Sequence, residues 1–308
     1  MNQGQAGDDI ELRHGDFAVW VSRRGAAVTA ATYRGIPFVV AAGGSDGAMA
    51  NFAMVPFGNR VEGNAMSFAG RDYAFQPNAS DPLYLHGDGW LSFWQLEDAS
   101  AEHAQFSFSR SADGVSPYAY LARQEIRLTG DALVLRLSVE NRGEAALPFG
   151  LGQHPFFART PKTRLTIAAD RYWSERPDHL PEMPGPVPDY FDFRSEKLLP
   201  QRWMNNAFEG WNGRAAIAWP ELGIQAALEA DGALDRFMLY MPVNRSDFFC
   251  LEPMSHLPNG HHLPDFGGLT PLAPGEALAG TVTILMSALP VQPKGVIIWA
   301  AVCRGRTS

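Results

Sequence analysis

Alternation of apolar and polar residues is the feature that most restricts the fold of this 308-residue chain. Residues 125–129 and 133–140 carry apolar side chains at every second position, and Gly130-Asp131 separates them. Since alternate side chains of a strand point to opposite faces, the stretch predicts an antiparallel hairpin with one buried face. No segment of the sequence shows a 3.6-residue apolar stripe longer than about three helical turns.

Further strands are predicted along the chain, separated by turns rich in its 30 glycines and 23 prolines. They comprise a hairpin at 28–40 around Arg34-Gly35-Ile36-Pro37, a hairpin at 214–229 around Pro220-Glu221-Leu222-Gly223, and a strand at 281–286 after Pro274-Gly275-Glu276. The pattern predicts an all-β fold, a large antiparallel β-sandwich. Residues 176–189 are proline-rich and predict a long loop that shapes the wall of a site.

Composition narrows the domain organisation and the partners. We expect one domain over residues 1–290 and a C-terminal tail, 291–308, of unknown role. The apolar run at 295–302 is too short to span a membrane, which takes about 20 residues, and the net charge of −8 argues against nucleic acid. Two cysteines make no disulfide framework, and residues 1–13 lack a secretory signal, so a cytoplasmic protein is expected. The residues favour no particular oligomeric state.

Short polar islands among glycine, proline and aromatic residues are the candidate functional sites. They are Pro56-Phe57-Gly58-Asn59-Arg60, Leu85-His86-Gly87-Asp88-Gly89-Trp90, Gly152-Gln153-His154-Pro155-Phe156-Phe157 and Leu251-Glu252-Pro253. Together they supply an arginine, two histidines and a carboxylate, a set that suits paired proton transfer on a small polar molecule.

The first two islands predict ligand binding. Arg60 follows a glycine turn and could present its planar donors to a ligand, although a structural ion pair is the alternative. The glycines beside His86 would allow backbone to approach a ligand, whereas the alternative is a turn histidine capped by Asp88. Trp90 could stack on the apolar face of a sugar.

The other two islands predict proton transfer. His154 lies among glycine and aromatic residues, where an imidazole can be held rigid and partly desolvated; a histidine bonded to backbone is the alternative. Glu252 lies in an apolar strand, where a carboxylate is costly unless it is paired or used. Burial would raise its pKa toward the range of a general base, while the alternative is a solvent-facing charge before Pro253.

A third histidine group offers a competing metal site at His256, His261 and His262, with Asp265 nearby. The segment predicts an irregular loop, and its spacing matches no familiar zinc motif. Solvated loop histidines are therefore the favoured interpretation, and neither a metal nor another cofactor is predicted.

The order and spacing of the islands resemble the aldose 1-epimerase (galactose mutarotase) family. Further similarity lies in Phe68-Ala69-Gly70-Arg71-Asp72-Tyr73, Asp170-Arg171-Tyr172 and Phe191-Asp192-Phe193-Arg194, and the resemblance covers residues 10–290. It implies the galactose mutarotase-like supersandwich, an isomerase of hexose metabolism with a small sugar substrate, and no cofactor.

The resemblance also implies roles for individual residues. Glu252 would be the general base on the anomeric hydroxyl and His154 the general acid on the ring oxygen. His86 and Arg60 would hold the sugar, and the other predicted sugar contacts are Asn59, Trp90 and Asn205. Asn205 stands where better-known relatives have a sugar-binding aspartate, so the chain resembles a divergent branch of the family.

The sequence is compatible with three activities. The favoured activity is interconversion of the α and β anomers of a free aldose. A mutarotase of phosphorylated hexoses would need further cations near the cleft, for which Arg71, Arg159 and Arg176 are candidates. A carbohydrate-binding protein without catalysis is the third.

Overall fold

Antiparallel strands make up nearly all of the regular structure in the computed structural model, which describes residues 9–289. The first thirteen strands are β1 (Ile10–His14), β2 (Phe17–Ser22), β3 (Ala27–Tyr33), β4 (Ile36–Pro37), β5 (Ala53–Met54), β6 (Ala65–Phe68), β7 (Arg71–Ala74), β8 (Gln95–Ala99), β9 (His103–Arg110), β10 (Tyr120–Thr129), β11 (Ala132–Asn141), β12 (Leu147–Phe149) and β13 (Gly152–Gln153). The next twelve are β14 (Phe156–Ala158), β15 (Arg164–Ile167), β16 (Arg171–Glu175), β17 (Pro181–Gly185), β18 (Lys197–Leu198), β19 (Met204–Glu209), β20 (Arg214–Trp219), β21 (Ile224–Gly232), β22 (Arg236–Met241), β23 (Phe248–Met254), β24 (Thr270–Leu272) and β25 (Ala277–Ala288). Short 3₁₀ helices lie at Glu62–Asn64, Gly89–Leu91, Asp189–Phe191, Gly260–His262 and Pro264–Gly268.

Two large sheets dominate the architecture. One has nine strands in the order β18-β15-β20-β21-β25-β11-β10-β9-β8. The other has eight, in the order β17-β16-β19-β22-β23-β13-β5, with β14 also paired to β23. A four-stranded sheet, β1 to β4, and the pairs β6-β7 and β12-β24 complete the described part. The predicted all-β class and large antiparallel sheets are confirmed.

The predicted hairpins form in the expected register. In the β10-β11 hairpin Ile126 lies opposite Leu135 and Leu128 opposite Leu133, so the alternating apolar residues share one face. β20 pairs with β21 around the predicted turn, and β25 adds to β21 and β11. In the hairpin at 28–40, β3 pairs with β2 on one side and with the two-residue β4 on the other, where Tyr33 lies opposite Ile36 and Thr32 opposite Pro37.

The prediction of a long loop over residues 176–189 is wrong in part. Its residues 181–185 form β17, the edge strand of the eight-stranded sheet. Proline is tolerated in an edge strand because the missing N–H costs no hydrogen bond on the outer side. Residues 176–180 do connect β16 to β17 without regular structure.

The two faces of the eight-stranded sheet have different neighbours. Leu239 and Leu251 belong to the main core, together with Leu135 and Ile284 of the nine-stranded sheet, so the two sheets pack face to face. Alternate residues on the same strands, Met238 and Cys250 among them, form a smaller cluster on the opposite, outer face. That outer face is where a ligand can reach the sheet.

The predicted domain boundary at residue 290 and the tail 291–308, with its apolar run, lie outside the described residues. Across residues 9–289, no helix has the length and apolar character needed to cross a bilayer.

Candidate active site on the outer face of the eight-stranded sheet

Strand register brings the two proposed proton-transfer residues together. β13 and β14 both pair with β23, with Gly152 opposite Met254 and Phe156 opposite Cys250. His154 lies midway between the two pairs and therefore faces Glu252, midway between Met254 and Cys250. The Nε2 atom of His154 is 3.4 Å from Oε1 of Glu252. Residues about a hundred positions apart thus meet on one sheet face.

A polar cavity of about 240 Å³ opens over this pair. Its lining comprises Asn59, Arg60, Leu85, His86, His154, His179, Trp203, Asn205, Tyr240 and Glu252. Drug-sized ligands occupy cavities of roughly 300–1,000 Å³, so this one suits a single small polar molecule.

Burial controls the electrostatics of the pair. Glu252 is 2% exposed, which excludes the solvent-facing alternative for this carboxyl group. Desolvation raises the pKa of Glu252 to about 8, against the opposing charge of Arg60. Desolvation also lowers the pKa of His154 to about 3. Near neutral pH the buried pair therefore holds one proton in total.

Aromatic rings fix the plane of the His154 imidazole. Phe52 stacks on it at a centroid distance of 4.6 Å, and Phe156 stacks on it at 4.7 Å. His86 approaches it edge-on at 5.2 Å. The stacked rings exclude water from the imidazole, which explains the direction of its pKa shift.

The loop residues Asn59 and His86 hold each other through two hydrogen bonds. The backbone N–H of Asn59 donates to Nδ1 of His86 at 3.0 Å, and the backbone N–H of His86 donates to the carbonyl of Asn59 at 2.9 Å. Because Nδ1 accepts, the proton of the neutral imidazole lies on Nε2. A side chain at Gly87 would place Cβ 2.1 Å from the carbonyl oxygen of Val55, so the close approach of the His86 loop to Val55 requires glycine at position 87.

Arg60 lines the cavity and also forms an ion pair, so both interpretations of this arginine hold. It lines the cavity, and its Nε and Nη2 atoms lie 2.9 and 2.8 Å from Oδ2 of Asp81. The carboxylate holds the guanidinium in place and offsets part of its charge. For His86 the alternative of a cap by Asp88 does not hold, because Nδ1 accepts the backbone N–H of Asn59 instead.

Comparison with known proteins shows the family of this chain. The sequence model of the aldose 1-epimerase family matches residues 8–285. The chain belongs to the aldose 1-epimerase family. The uncharacterised protein YphB of Escherichia coli K12 is 41% identical over 247 residues, which cover 76% of this chain and 82% of YphB.

Solved structures of the family share the fold of this epimerase homologue. An E. coli K12 protein assigned provisionally to the aldose 1-epimerases matches with a TM-score of 0.86 and 36% identity over 91% of this chain and 99% of its own. A GalM/aldose epimerase homologue from C. elegans matches with a TM-score of 0.76 and 17% identity, over 91% and 99% of the two chains. The second likeness concerns the fold alone.

Trp90 does not occupy the position that its predicted stacking role requires. It lies behind the cavity lining, stacked on Phe52 at 5.3 Å and 6% exposed. Its indole N–H is shared between the carbonyls of Leu85 and Gly87 at 3.1 and 3.0 Å. Trp90 therefore stabilises the backbone on both sides of His86 instead of contacting a ligand in the cavity.

The three histidines of the alternative metal site, His256, His261 and His262, each contact a different partner. His256 accepts the backbone N–H of Gly58 at 2.9 Å, His261 lies 3.1 Å from the Tyr118 hydroxyl, and His262 donates to the carbonyl of Ala65 at 2.8 Å. His256 and His261 are buried rather than solvated, contrary to the expectation for loop histidines. Each serves to fix neighbouring backbone or side chains.

One donor set in the described part of the epimerase fold could hold a metal. His154, Cys250 and Glu252 each offer a ligand atom, all within 4.8 Å of one another. Nitrogen, sulfur and oxygen donors suit Zn²⁺. Burial, however, raises the pKa of the Cys250 thiol well above its usual range, and this opposes formation of the thiolate ligand.

Sequence reasoning missed three residues of the cavity wall: His179, Trp203 and Tyr240. Tyr240 lies opposite Asn205 on β19 and opposite Cys250 on β23, so strand pairing carries it to the site face. Trp203 packs edge-on against Tyr240 at 5.6 Å. His179 comes from the 176–189 segment, which does contribute to the wall as predicted. Only the register could have identified Tyr240.

Proposed function

We propose that this protein interconverts the α and β anomers of a free aldose by opening and closing the sugar ring. The observation that carries the proposal is the contact of 3.4 Å between His154 and Glu252 at the floor of a polar cavity. Opening a cyclic hemiacetal requires removal of the O1 proton and protonation of the ring oxygen. One base and one acid, both within reach of the same ring, perform these steps together.

The single proton shared by the pair supports both steps. Burial favours the neutral form, with the proton on Glu252 and a free imidazole on His154. Transfer of that proton to His154 gives a carboxylate and an imidazolium, and sugar hydroxyls that donate to the carboxylate stabilise this form. Glu252 then accepts the O1 proton while His154 protonates the ring oxygen. Rotation about C1–C2 and reversal of both transfers give the other anomer.

The remaining lining residues would hold the ring. The Nε2–H of His86 and the guanidinium of Arg60 are donors for sugar oxygens. The side chain of Asn59 accepts the backbone N–H of Arg60 at 2.9 Å and so fixes this part of the lining. Asn205 lines the same cavity, and Trp203 replaces Trp90 as the proposed apolar platform for the sugar.

The charges around the cavity favour a free sugar over a phosphorylated one. Arg60 is the one arginine in the lining formed by the described residues, and Asp81 already pairs with it. Arg176 is bound to Glu62 and Asp178, and Nη2 of Arg159 donates to the carbonyl of Pro200. Arg71 is exposed on β7. A phosphate dianion would thus find no unpaired arginine in this lining.

A sugar panel tests this activity. We expect accelerated mutarotation of freshly dissolved α-glucose or α-galactose, followed by polarimetry, and at least tenfold lower kcat/KM for the 6-phosphates. A preference for the phosphates would support the rival mutarotase. Binding of free aldoses without acceleration would instead support a carbohydrate-binding protein.

The shared proton predicts a pH dependence. Above pH 8 the pair loses its one proton because the pKa of Glu252 is about 8, and kcat/KM should then fall about tenfold per pH unit. Between pH 5 and 7.5 it should stay level, since the pKa of His154 is about 3. Rates measured from pH 5 to 10, with the enzyme-free rate subtracted at each pH, give the profile. A level kcat/KM up to pH 9.5 would contradict the shared proton.

A further inference from the structure

Glu175 lies behind the cavity wall and accepts hydrogen bonds from three residues that line it. Its Oε1 accepts from Nδ2 of Asn205 at 2.7 Å and from Nδ1 of His179 at 2.6 Å, and its Oε2 accepts from Nε1 of Trp203 at 2.6 Å. Glu175 itself is absent from the lining. One carboxylate therefore connects three residues that line the same cavity as His154 and Glu252.

The contact with Glu175 fixes which end of the Asn205 amide meets the sugar. A carboxylate accepts only, so Asn205 must turn its NH₂ group toward Glu175. The amide oxygen is left as an acceptor for the cavity, and no hydrogen bond among residues 9–289 uses it. A neutral asparagine, held this way, offers the same acceptor as an aspartate.

We infer that Glu175 is a positioning residue that determines sugar recognition by holding Asn205 as an acceptor for a hydroxyl of an uncharged aldose. The inference rests on the proposed function and deepens it. Where the better-known relatives resembled by this chain have an aspartate, this chain has Asn205 on β19 and places a carboxylate behind it, on the neighbouring strand β16. His179 and Trp203 share this carboxylate, so it also sets the orientation of the Trp203 ring beside the substrate.

A reciprocal exchange tests this arrangement. In Glu175→Gln an amide group meets either the NH₂ of Asn205 or the indole N–H of Trp203, so one donor loses its acceptor. In Asn205→Asp two carboxylates face each other at hydrogen-bond distance and repel. In the double variant the glutamine NH₂ can donate to the aspartate, which again presents an oxygen to the cavity.

KM and kcat for mutarotation should separate a positioning role from a general structural one. We expect each single variant to raise KM for the preferred aldose about tenfold, the effect of one lost hydrogen bond, with kcat changed less than threefold. The double variant should return KM to within threefold of the parent. A double variant whose KM is the product of the two single effects would overturn the inference.

Glu209→Gln is the matched control. Glu209 also accepts a tryptophan indole N–H, from Trp173 at 2.7 Å, and its side chain is 13% exposed against 14% for Glu175. Unlike the three partners of Glu175, Trp173 does not line the cavity, and neither does Glu209 itself, so KM should stay at the parental value. An effect of Glu175→Gln no larger than that of Glu209→Gln would count against the inference. If Glu175→Gln fails to fold, Asn205→Asp and the double variant decide.

Calorimetric titration of the same proteins with free aldoses separates the inference from the proposed function. A parent that binds an aldose without accelerating mutarotation refutes the proposed function, and the same exchange pattern in Kd would still support Glu175. If the parent is a mutarotase but Kd and KM are the same in the single and double variants as in the parent, the inference is refuted and the proposed function is not. A parent that binds no aldose at all overturns both.

Discussion

Replacement of Glu252 by glutamine is expected to lower kcat/KM for mutarotation by roughly 10³-fold, within the 10²–10⁴ range of a positioned acid or base. The amide keeps the size and hydrogen-bonding capacity of the side chain but neither accepts nor releases the shared proton. KM should change little, because Arg60, His86 and Asn205 still line the cavity. Exchange between the anomers, followed by NMR at equilibrium, measures the remaining rate. Retention of more than a tenth of the parental kcat/KM would contradict the role of Glu252.

The same substitution should stabilise the fold at alkaline pH, which separates lost chemistry from lost structure. The pKa of Glu252 is about 8 in the folded protein and near 4.5 when unfolded. The folded protein therefore binds the Glu252 proton more tightly than the unfolded chain does. This contribution to the free energy of unfolding is fully present below pH 4.5 and decreases by about 1.4 kcal/mol per pH unit as the pH rises to 8. Glutamine does not titrate. We therefore expect the free energy of unfolding of Glu252→Gln, measured by urea melts at pH 5, 7 and 8.5, to increase relative to that of the parent as the pH rises.

Local patterning was sufficient to predict the class of fold. The alternation in β10 and β11 fixes which side chains are buried, and the turn at Gly130 fixes their register. The edge strand β17 escaped prediction because its prolines are typical of loops, and their tolerance depends on where the strand lies in the sheet. A sequence does not reveal which strand is at an edge until the sheet order is known.

The candidate site was predictable where a residue conflicts with its surroundings. A carboxyl group between Leu251 and Pro253 is too costly to bury without a purpose, and this conflict identified Glu252. Tyr240 and Glu175 show no such conflict with their neighbours in sequence. Only strand pairing shows that Tyr240 lies on the cavity face, and only hydrogen bonds such as that with Asn205 show that Glu175 supports the cavity. Trp90 illustrates the opposite error, because proximity in sequence to His86 does not determine on which side of the loop the indole packs.

Replacement of His154 by glutamine is expected to lower kcat by roughly 10²–10³-fold with little change in KM. Glutamine preserves a donor near the position of Nε2 but cannot carry a proton between O1 and the ring oxygen. The stacked contacts with Phe52 and Phe156 are lost in part, so melting curves must accompany the kinetics. His103→Gln serves as a control, since His103 belongs to β9 of the nine-stranded sheet. A variant at position 154 with parental kcat would refute the role of His154.

The double variant Glu252→Gln/His154→Gln shows whether the two groups act as one unit. If a single proton is shared across the 3.4 Å contact, removal of either group ends the cycle, and the double variant should be no slower than the slower single one. Independent groups would instead give multiplied losses of about 10⁵-fold or more, because each would contribute its own factor. Anomer exchange rates of the four proteins at pH 7, with the spontaneous rate subtracted, measure the difference. Multiplied losses would show that the two groups act independently and would contradict the shared proton.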